Sequence, residues 1–219
     1  ISLGTGGQVL APVAEPKVDP DGRLHGLCHV VPGQWCLMAA ILSAAASLDW
    51  VVRLLHPDDP NGARELLGAA AKVPAGSDGL LFLPYLRGER TPHFDPAARG
   101  ALVGLQMSHG PAEVTRAVLE GVALAMAEGL DLMRGVGVEP RAGVVAGGGV
   151  NRLWQQIIAD VFDMPVTLGA TEHASARGAA LLGAISAGMV PSSAQGTLPL
   201  PADTRVMEPD PARVRLYAE

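Results

Sequence analysis

Apolar residues along this chain alternate between short strand-like runs and longer stretches with helical spacing. Ile1–Leu3 and Gln8–Leu10 read as two strands around the turn Gly4-Thr5-Gly6-Gly7, and Leu24–Val31 as a returning strand. Leu37, Ile41, Leu42, Ala45, Leu48, Val52 and Leu55 recur at three- and four-residue spacing, which predicts one amphipathic helix over Leu37–Leu55. A shorter helix is predicted over Asn61–Val73, then a short buried strand at Leu80–Pro84 and another strand at Ala101–Leu105. Pro111 suits the first turn of a long helix, because its missing N–H would have no partner there. Val114, Ala117, Val118, Gly121, Leu124, Ala125 and Leu132 form the buried stripe of that helix, and Gly135 and Gly137 end it.

The next unit is the most strongly marked. Val144–Ala146 is fit for a buried strand, Gly147-Gly148-Gly149 for a turn, and Leu153, Trp154, Ile157, Ile158, Val161 and Phe162 for one helical face. Val166–Leu168 reads as the following strand. Thr171 is placed to cap a helix running to about Ala187, whose small residues Ala176, Gly178, Ala179, Ala180 and Gly183 would pack closely on a neighbour. Pro191–Pro211 reads as a surface segment, and Asp210-Pro211 as the cap of a last helix. No repeat of fixed period occurs.

The totals narrow this picture. At 219 residues the chain is long enough for one large domain or two small ones. It is 48% hydrophobic and 17% charged, with only 4% aromatic residues, which fits a folded α/β protein whose small side chains let helices lie close to a sheet. No apolar run reaches a membrane span, and no targeting leader is expected. The net charge of −6 and the lack of a Lys/Arg stripe argue against nucleic acid as a partner. Cys28 and Cys36 do not suggest a disulfide framework, so a cytoplasmic setting is expected. His25, Cys28, His29 and Cys36 match no standard zinc spacing, and no metal ligand is assigned.

Two glycine turns carry candidate chemistry. Gly4-Thr5-Gly6 can offer successive N–H groups and a hydroxyl to one anion, or it can be an ordinary hairpin turn. Gly147–Gly149 exceeds what a tight turn needs and leaves backbone open to a ligand. It is not a dinucleotide fingerprint, because Arg152 stands where the last glycine is required and no acidic residue ends the following strand. The loop Arg87–Pro96 packs charges, two prolines and a glycine into ten residues, and an ion-pair staple is its plainest reading.

Gly100-Ala101-Leu102-Val103-Gly104-Leu105, Glu113-Val114 and Ala117-Val118-Leu119-Glu120 together match the second signature of the FGGY carbohydrate kinases. Leu83–His93 resembles the loop typical of family members that act on D-xylulose, and His29–Trp35 and Leu42–Trp50 are similar to the same subgroup. The resemblance spans nearly the whole chain. It implies an actin/hexokinase-like, ribonuclease-H-type ATPase fold, a mixed sheet flanked by helices. Residues 1–219 would form the C-terminal, ATP-binding domain, with 191–219 as its Pro-rich segment and terminal helix.

The resemblance also implies a reaction: transfer of the ATP γ-phosphoryl group to a sugar hydroxyl, with Mg²⁺ and with D-xylulose as the first candidate. Gly4, Thr5 and Gly6 would hold ATP phosphates. Gly147, Gly148, Gly149 and Asn151 would form the adenine loop. Two helix positions that contact nucleotide in the family fall on Ala45, where glycine is usual, and Asp49, where glutamine is usual. The catalytic Asp of the family precedes the Leu-Gly-Thr turn, so it would lie before Ile1, and no catalytic residue is expected in this chain. The implied partners are an N-terminal sugar-binding domain of the same enzyme and the sugar itself, and a homodimer is compatible with the pattern. Other family sugars (ribulose, glycerol, fuculose, gluconate), a kinase-like domain that binds without catalysis, and a dinucleotide-dependent oxidoreductase are the alternatives.

Overall fold

The computed structural model describes residues 1–149, 151–168, 174–191 and 205–219. In chain order the elements are β1 (Ser2–Leu3), β2 (Gly7–Val13), β3 (His25–Cys28), β4 (Trp35–Ile41), α1 (Ala45–Leu55), α2 (Gly62–Ala70), β5 (Leu81–Leu83), β6 (Ala101–Val103), α3 (Pro111–Gly135), β7 (Gly143–Val145), α4 (Arg152–Phe162), β8 (Val166–Leu168), α5 (Ala174–Ser186), β9 (Val206–Met207) and α6 (Pro211–Ala218).

Four strands pair antiparallel in the order β1-β2-β4-β3, with Leu3 opposite Gly7 and Gly7 opposite Ile41. On the other side of β1, Ser2 bridges Ala146 in parallel, and Leu3 N–H donates to the Ala146 carbonyl at 2.8 Å. That bridge joins the first sheet to β7-β8-β9, in which β7 and β8 are parallel. The result is one mixed layer in which β1 has an antiparallel neighbour on one side and a parallel neighbour on the other. This is the actin/hexokinase-like arrangement.

The long helix α3 lies across this layer. Leu119, Val122, Met126, Leu130 and Met133 are buried, along with Trp154, Ile157, Ile158 and Phe162 of α4. Burial of this kind stabilises by roughly 1.5–3 kcal/mol per large apolar side chain. Gly129 sets the approach of helix to sheet, since a Cβ there would stand 2.4 Å from the Ala39 methyl of β4. The indole N–H of Trp154 is satisfied by the Leu119 carbonyl at 3.0 Å, which links the two helices. The C-terminal helix is fastened from the side. Arg116 donates to Glu120 and to the Tyr217 hydroxyl, and Tyr217 donates to Glu120 Oε1 at 2.6 Å.

Four expectations change. Leu37–Leu55 is not one helix: Trp35–Ile41 is the strand β4, and the helix starts at Ala45. β4 pairs on both edges and is buried on both faces, so its continuous apolar run mimics helical spacing. β5 buries only Phe82, while Leu81 and Leu83 are exposed, because β5 and β6 form a separate two-stranded hairpin with α3 on one side. α5 has no fully buried residue, so its small side chains do not form the close-packed face expected of them. β9 was not anticipated, because two residues carry no periodicity; it forms by pairing Val206 and Met207 with β8. The predicted Thr171 cap and most of Pro191–Pro211 lie outside the described residues.

Candidate functional site

The two glycine turns lie side by side because β1 and β7 run parallel and both turns leave the carboxyl ends of their strands. That is where ligands bind in open α/β sheets, outside a switch in strand direction. The Gly4-Thr5-Gly6 turn also faces the start of α1. Ala44 N–H and Ala46 N–H donate to the Thr5 carbonyl at 2.9 and 3.2 Å, and Ala45 N–H donates to the Gly4 carbonyl at 2.9 Å. These bonds explain how α1 begins without a side-chain cap. They also orient the turn: the Gly4 and Thr5 carbonyls are spent on the helix and Gly6 O accepts Gly4 N–H at 3.1 Å, while Thr5 N–H, Gly6 N–H and the Thr5 hydroxyl have no protein partner among the described residues. Gly6 is fixed by proximity to β4, since a Cβ there would meet the Ile41 carbonyl oxygen at 2.7 Å.

The three adjacent glycines are not equivalent. Gly147 has φ +126°, and a Cβ on it would stand 2.3 Å from the Leu3 carbonyl oxygen of β1. Gly149 sits against Ala45, where an added Cβ would stand 2.7 Å from the Ala45 methyl, and its N–H donates to Leu3 O at 3.3 Å. Both are explained by packing. Gly148 has no atom within 4 Å of an added Cβ and is exposed, so packing does not require its lack of a side chain.

Asn151 caps α4: its Oδ1 accepts Trp154 N–H at 3.0 Å. Its side-chain amide has only a long bond, 3.4 Å, to Gly149 O. Asp49 is exposed one turn beyond Ala45 and forms no ion pair with Arg53. The structure therefore brings together Gly4, Thr5, Gly6, Ala45, Gly147 and Gly149, with Gly148 at the open edge, Asn151 as a cap and Asp49 farther along α1.

The Gly4-Thr5-Gly6 turn opens into a cavity of about 380 Å³ lined by Ser2, Gly4 to Gln8, Ala40, Ile41, Leu42 and Arg90. Arg90 was not singled out from sequence as a site residue; the signal available was the dense charged loop around it. Among the described residues that loop has one ion-pair contact, His93 with Glu128 at 3.8 Å and half-exposed, and its buried contacts are hydrogen bonds. Glu89 is buried, and its Oε1 accepts Leu42 N–H at 2.9 Å and Arg90 N–H at 2.6 Å. Burial pushes the Glu89 carboxyl pKa up, against the pull of those two N–H groups. Thr91 is fully buried; its N–H donates to Ala40 O and its hydroxyl accepts Ala40 N–H. Hydrogen bonds to β4 hold the loop.

The cavity walls carry no carboxylate. His25, Cys28, His29 and Cys36 do not converge. Among the described residues the metal-ligating group that does converge is His56, Asp59 and Glu65, at the turn between α1 and α2, and it is not part of the cavity lining.

A family model for the C-terminal domain of the FGGY family of carbohydrate kinases matches residues 1–187. The chain is 42% identical over 161 residues to a xylulose kinase of Klebsiella pneumoniae, covering 74% of this chain and 33% of that protein. It is 40% identical over 162 residues to the xylulose kinase of Escherichia coli K12, with the same coverage of each. The structure of a xylulose kinase from Rhodospirillum rubrum superposes with a TM-score of 0.83 at 35% identity, over 99% of this chain and 43% of that one. The chain thus spans about a third of the length of these curated relatives.

Proposed function

The chain belongs to the FGGY family of carbohydrate kinases, and from that premise we propose that it is the nucleotide-binding half of an ATP-dependent sugar kinase acting on D-xylulose. The observation that carries this reading is the turn Gly4-Thr5-Gly6, whose Gly4 and Thr5 carbonyls are taken by the start of α1 and whose Thr5 N–H, Gly6 N–H and Thr5 hydroxyl have no partner among the described residues, beside a second glycine turn. Free N–H groups on successive residues suit phosphate oxygens. Gly147 and Gly149 keep the second turn against β1 and Ala45, and the open surface at Gly148 receives the flat adenosine end of ATP. Asn151 holds the start of α4 behind it, and Asp49 lies at the rim.

Little covalent chemistry is asked of this half. Phosphoryl transfer relies on positioning and on offsetting charge at the phosphate oxygens. Mg²⁺ binds through substrate phosphates and one or two carboxylates. This cavity offers no carboxylate, so its residues do not fit a protein-held Mg²⁺. The acid that accepts the hydroxyl proton and most sugar contacts belong, in this reading, to an N-terminal domain of the same enzyme, with the reaction in the cytoplasm.

The test is ADP release by the complete gene product with ATP and Mg²⁺ over D-xylulose, L-ribulose, glycerol, L-fuculose and gluconate. Preference for D-xylulose is expected. In the same protein Thr5→Val should lower kcat/KM for ATP on the order of 10²-fold, the loss typical of one oxyanion-binding donor. Unchanged ATP kinetics would remove the phosphate-loop assignment.

A further inference from the structure

Arg90 is built differently from the rest of its loop. The residue before it, Glu89, is 3% exposed and receives N–H bonds from Leu42 and from Arg90 itself. Glu89 N–H donates to Asp95 O at 2.9 Å, closing the loop upon itself. The residue after it, Thr91, is 0% exposed and exchanges two hydrogen bonds with Ala40. Ala40 and Leu42 both line the cavity beside the Gly4-Thr5-Gly6 turn. The backbone at Arg90 is thus clamped on both sides to the end of β4. Its side chain is exposed and has no ion-pair partner among the described residues. Arg87, which lines no part of this cavity, lacks that double clamp.

A fixed backbone carrying a free guanidinium beside a nest of free N–H groups is an arrangement for an oxyanion with several oxygens. The planar fork of arginine matches phosphate bidentately, which an ammonium group does not. Packing does not account for the residue: its neighbours make the buried contacts.

We propose that Arg90 binds oxygens of the phosphoryl group in transit, across the cavity from the Gly4-Thr5-Gly6 turn. The proposal rests on the reading of that turn as the ATP phosphate loop. In the step concerned, the bond from the γ-phosphorus to the β,γ-bridging oxygen breaks, and ADP keeps the electron pair. A bond from the γ-phosphorus to the acceptor hydroxyl oxygen forms, and the hydroxyl proton passes to the carboxylate base outside this chain. Arg90 makes and breaks no covalent bond. It offsets negative charge on the non-bridging oxygens, which is the main demand of this transition state.

The experiment uses the complete enzyme with Arg90→Ala, Arg90→Lys and Thr5→Val. Arg90→Ala is expected to lower kcat about 10²–10³-fold, the range for loss of one donor to a developing oxyanion. Its affinity for ADP should change less than about 3-fold, while affinity for adenylyl-imidodiphosphate, which keeps a γ-phosphoryl group, should fall about 10-fold or more. The melting temperature should not move, and Arg90→Lys should recover only part of kcat, because the point charge is kept and the fork is lost.

A kcat for Arg90→Ala within about 3-fold of the parent, with Thr5→Val strongly impaired, would overturn the proposal and leave the ATP site standing. A raised KM for the sugar at unchanged kcat would move Arg90 to acceptor binding and also overturn it. If Thr5→Val and Arg90→Ala both left ATP kinetics unchanged, the phosphate-loop reading would itself fall.

Discussion

The glycine series Gly147→Ala and Gly148→Val separates fold from ligand within two adjacent residues. At Gly147 the backbone has φ +126°, and an added Cβ would lie 2.3 Å from Leu3 O and 2.6 Å from Leu3 C. The conformation alone costs an L-residue on the order of 1–3 kcal/mol. The overlap with backbone of β1 cannot be relieved by rotating a side chain, so the turn must move, with loss of the Gly149 N–H bond to Leu3 O, worth about 1 kcal/mol. A total of about 3 kcal/mol lowers the melting temperature by roughly 6–12 °C in a domain of this size. At Gly148 an added Cβ meets nothing within 4 Å, and φ lies outside the left-handed range. Valine there should shift the melting temperature by no more than about 2 °C, as surface substitutions do. Yet its branched side chain would stand where the nucleotide is proposed to lie, so KM for ATP should rise on the order of 10-fold or more. The assay pairs thermal denaturation with ADP release over a range of ATP concentrations, in the complete protein. If Gly148→Val melted as early as Gly147→Ala, the packing argument would be wrong. If it melted like the parent and kept its KM for ATP, the ligand argument would be.

Other outcomes follow from side-chain bonds. Asn151→Ala should remove the α4 cap and lower stability by about 1 kcal/mol, read as a melting temperature roughly 2–4 °C lower. Tyr217→Phe should loosen α6 from α3, costing about 1–3 kcal/mol by chemical denaturation, because the buried Arg116 and Glu120 lose a shared, half-buried partner. Burial first, and Glu120 second, push the Tyr217 phenol pKa up, so its neutral form is favoured in the fold. Its contribution is whole below pH about 10 and is lost as the pH rises through the folded value; the phenylalanine variant should lack that alkaline slope. Hydrogen bonding from Arg23 holds Asp19 down at about 2, so this pair stabilises above pH about 4 and is lost as the pH falls towards 2. Asp19→Asn should melt earlier than the parent at pH 7 and should converge with it near pH 2.

Much of this protein was legible in its residues, for local reasons. The α3 and α4 helices carry their own start signals, Pro111 and Asn151, and their own apolar faces. The strand, glycine turn and helix of Gly143–Phe162 follow from period and breaker alone. Other features depended on contacts distant in sequence. Whether Leu37–Ile41 is strand or helix was decided by β2 and β3 pairing on both of its edges. β9 exists because β8 offered a free edge. The composition of the Arg87–Pro96 loop suggested ion pairs, but apart from the half-exposed His93–Glu128 contact the loop is held by hydrogen bonds that Glu89 accepts from Leu42 N–H and Thr91 accepts from Ala40 N–H, at the end of β4. The site divides in the same way. The sequence by itself determined that two glycine turns exist and that one carries a threonine. Only the tertiary structure set them side by side, because that depends on the parallel bridge between Ser2 and Ala146, 144 positions apart. It alone separated Gly148 from Gly147 and Gly149, and it alone brought Arg90 to the cavity beside the Gly4-Thr5-Gly6 turn. Sequence period reports which face of an element is apolar; which surface that face meets is fixed by the closest packing of the whole chain.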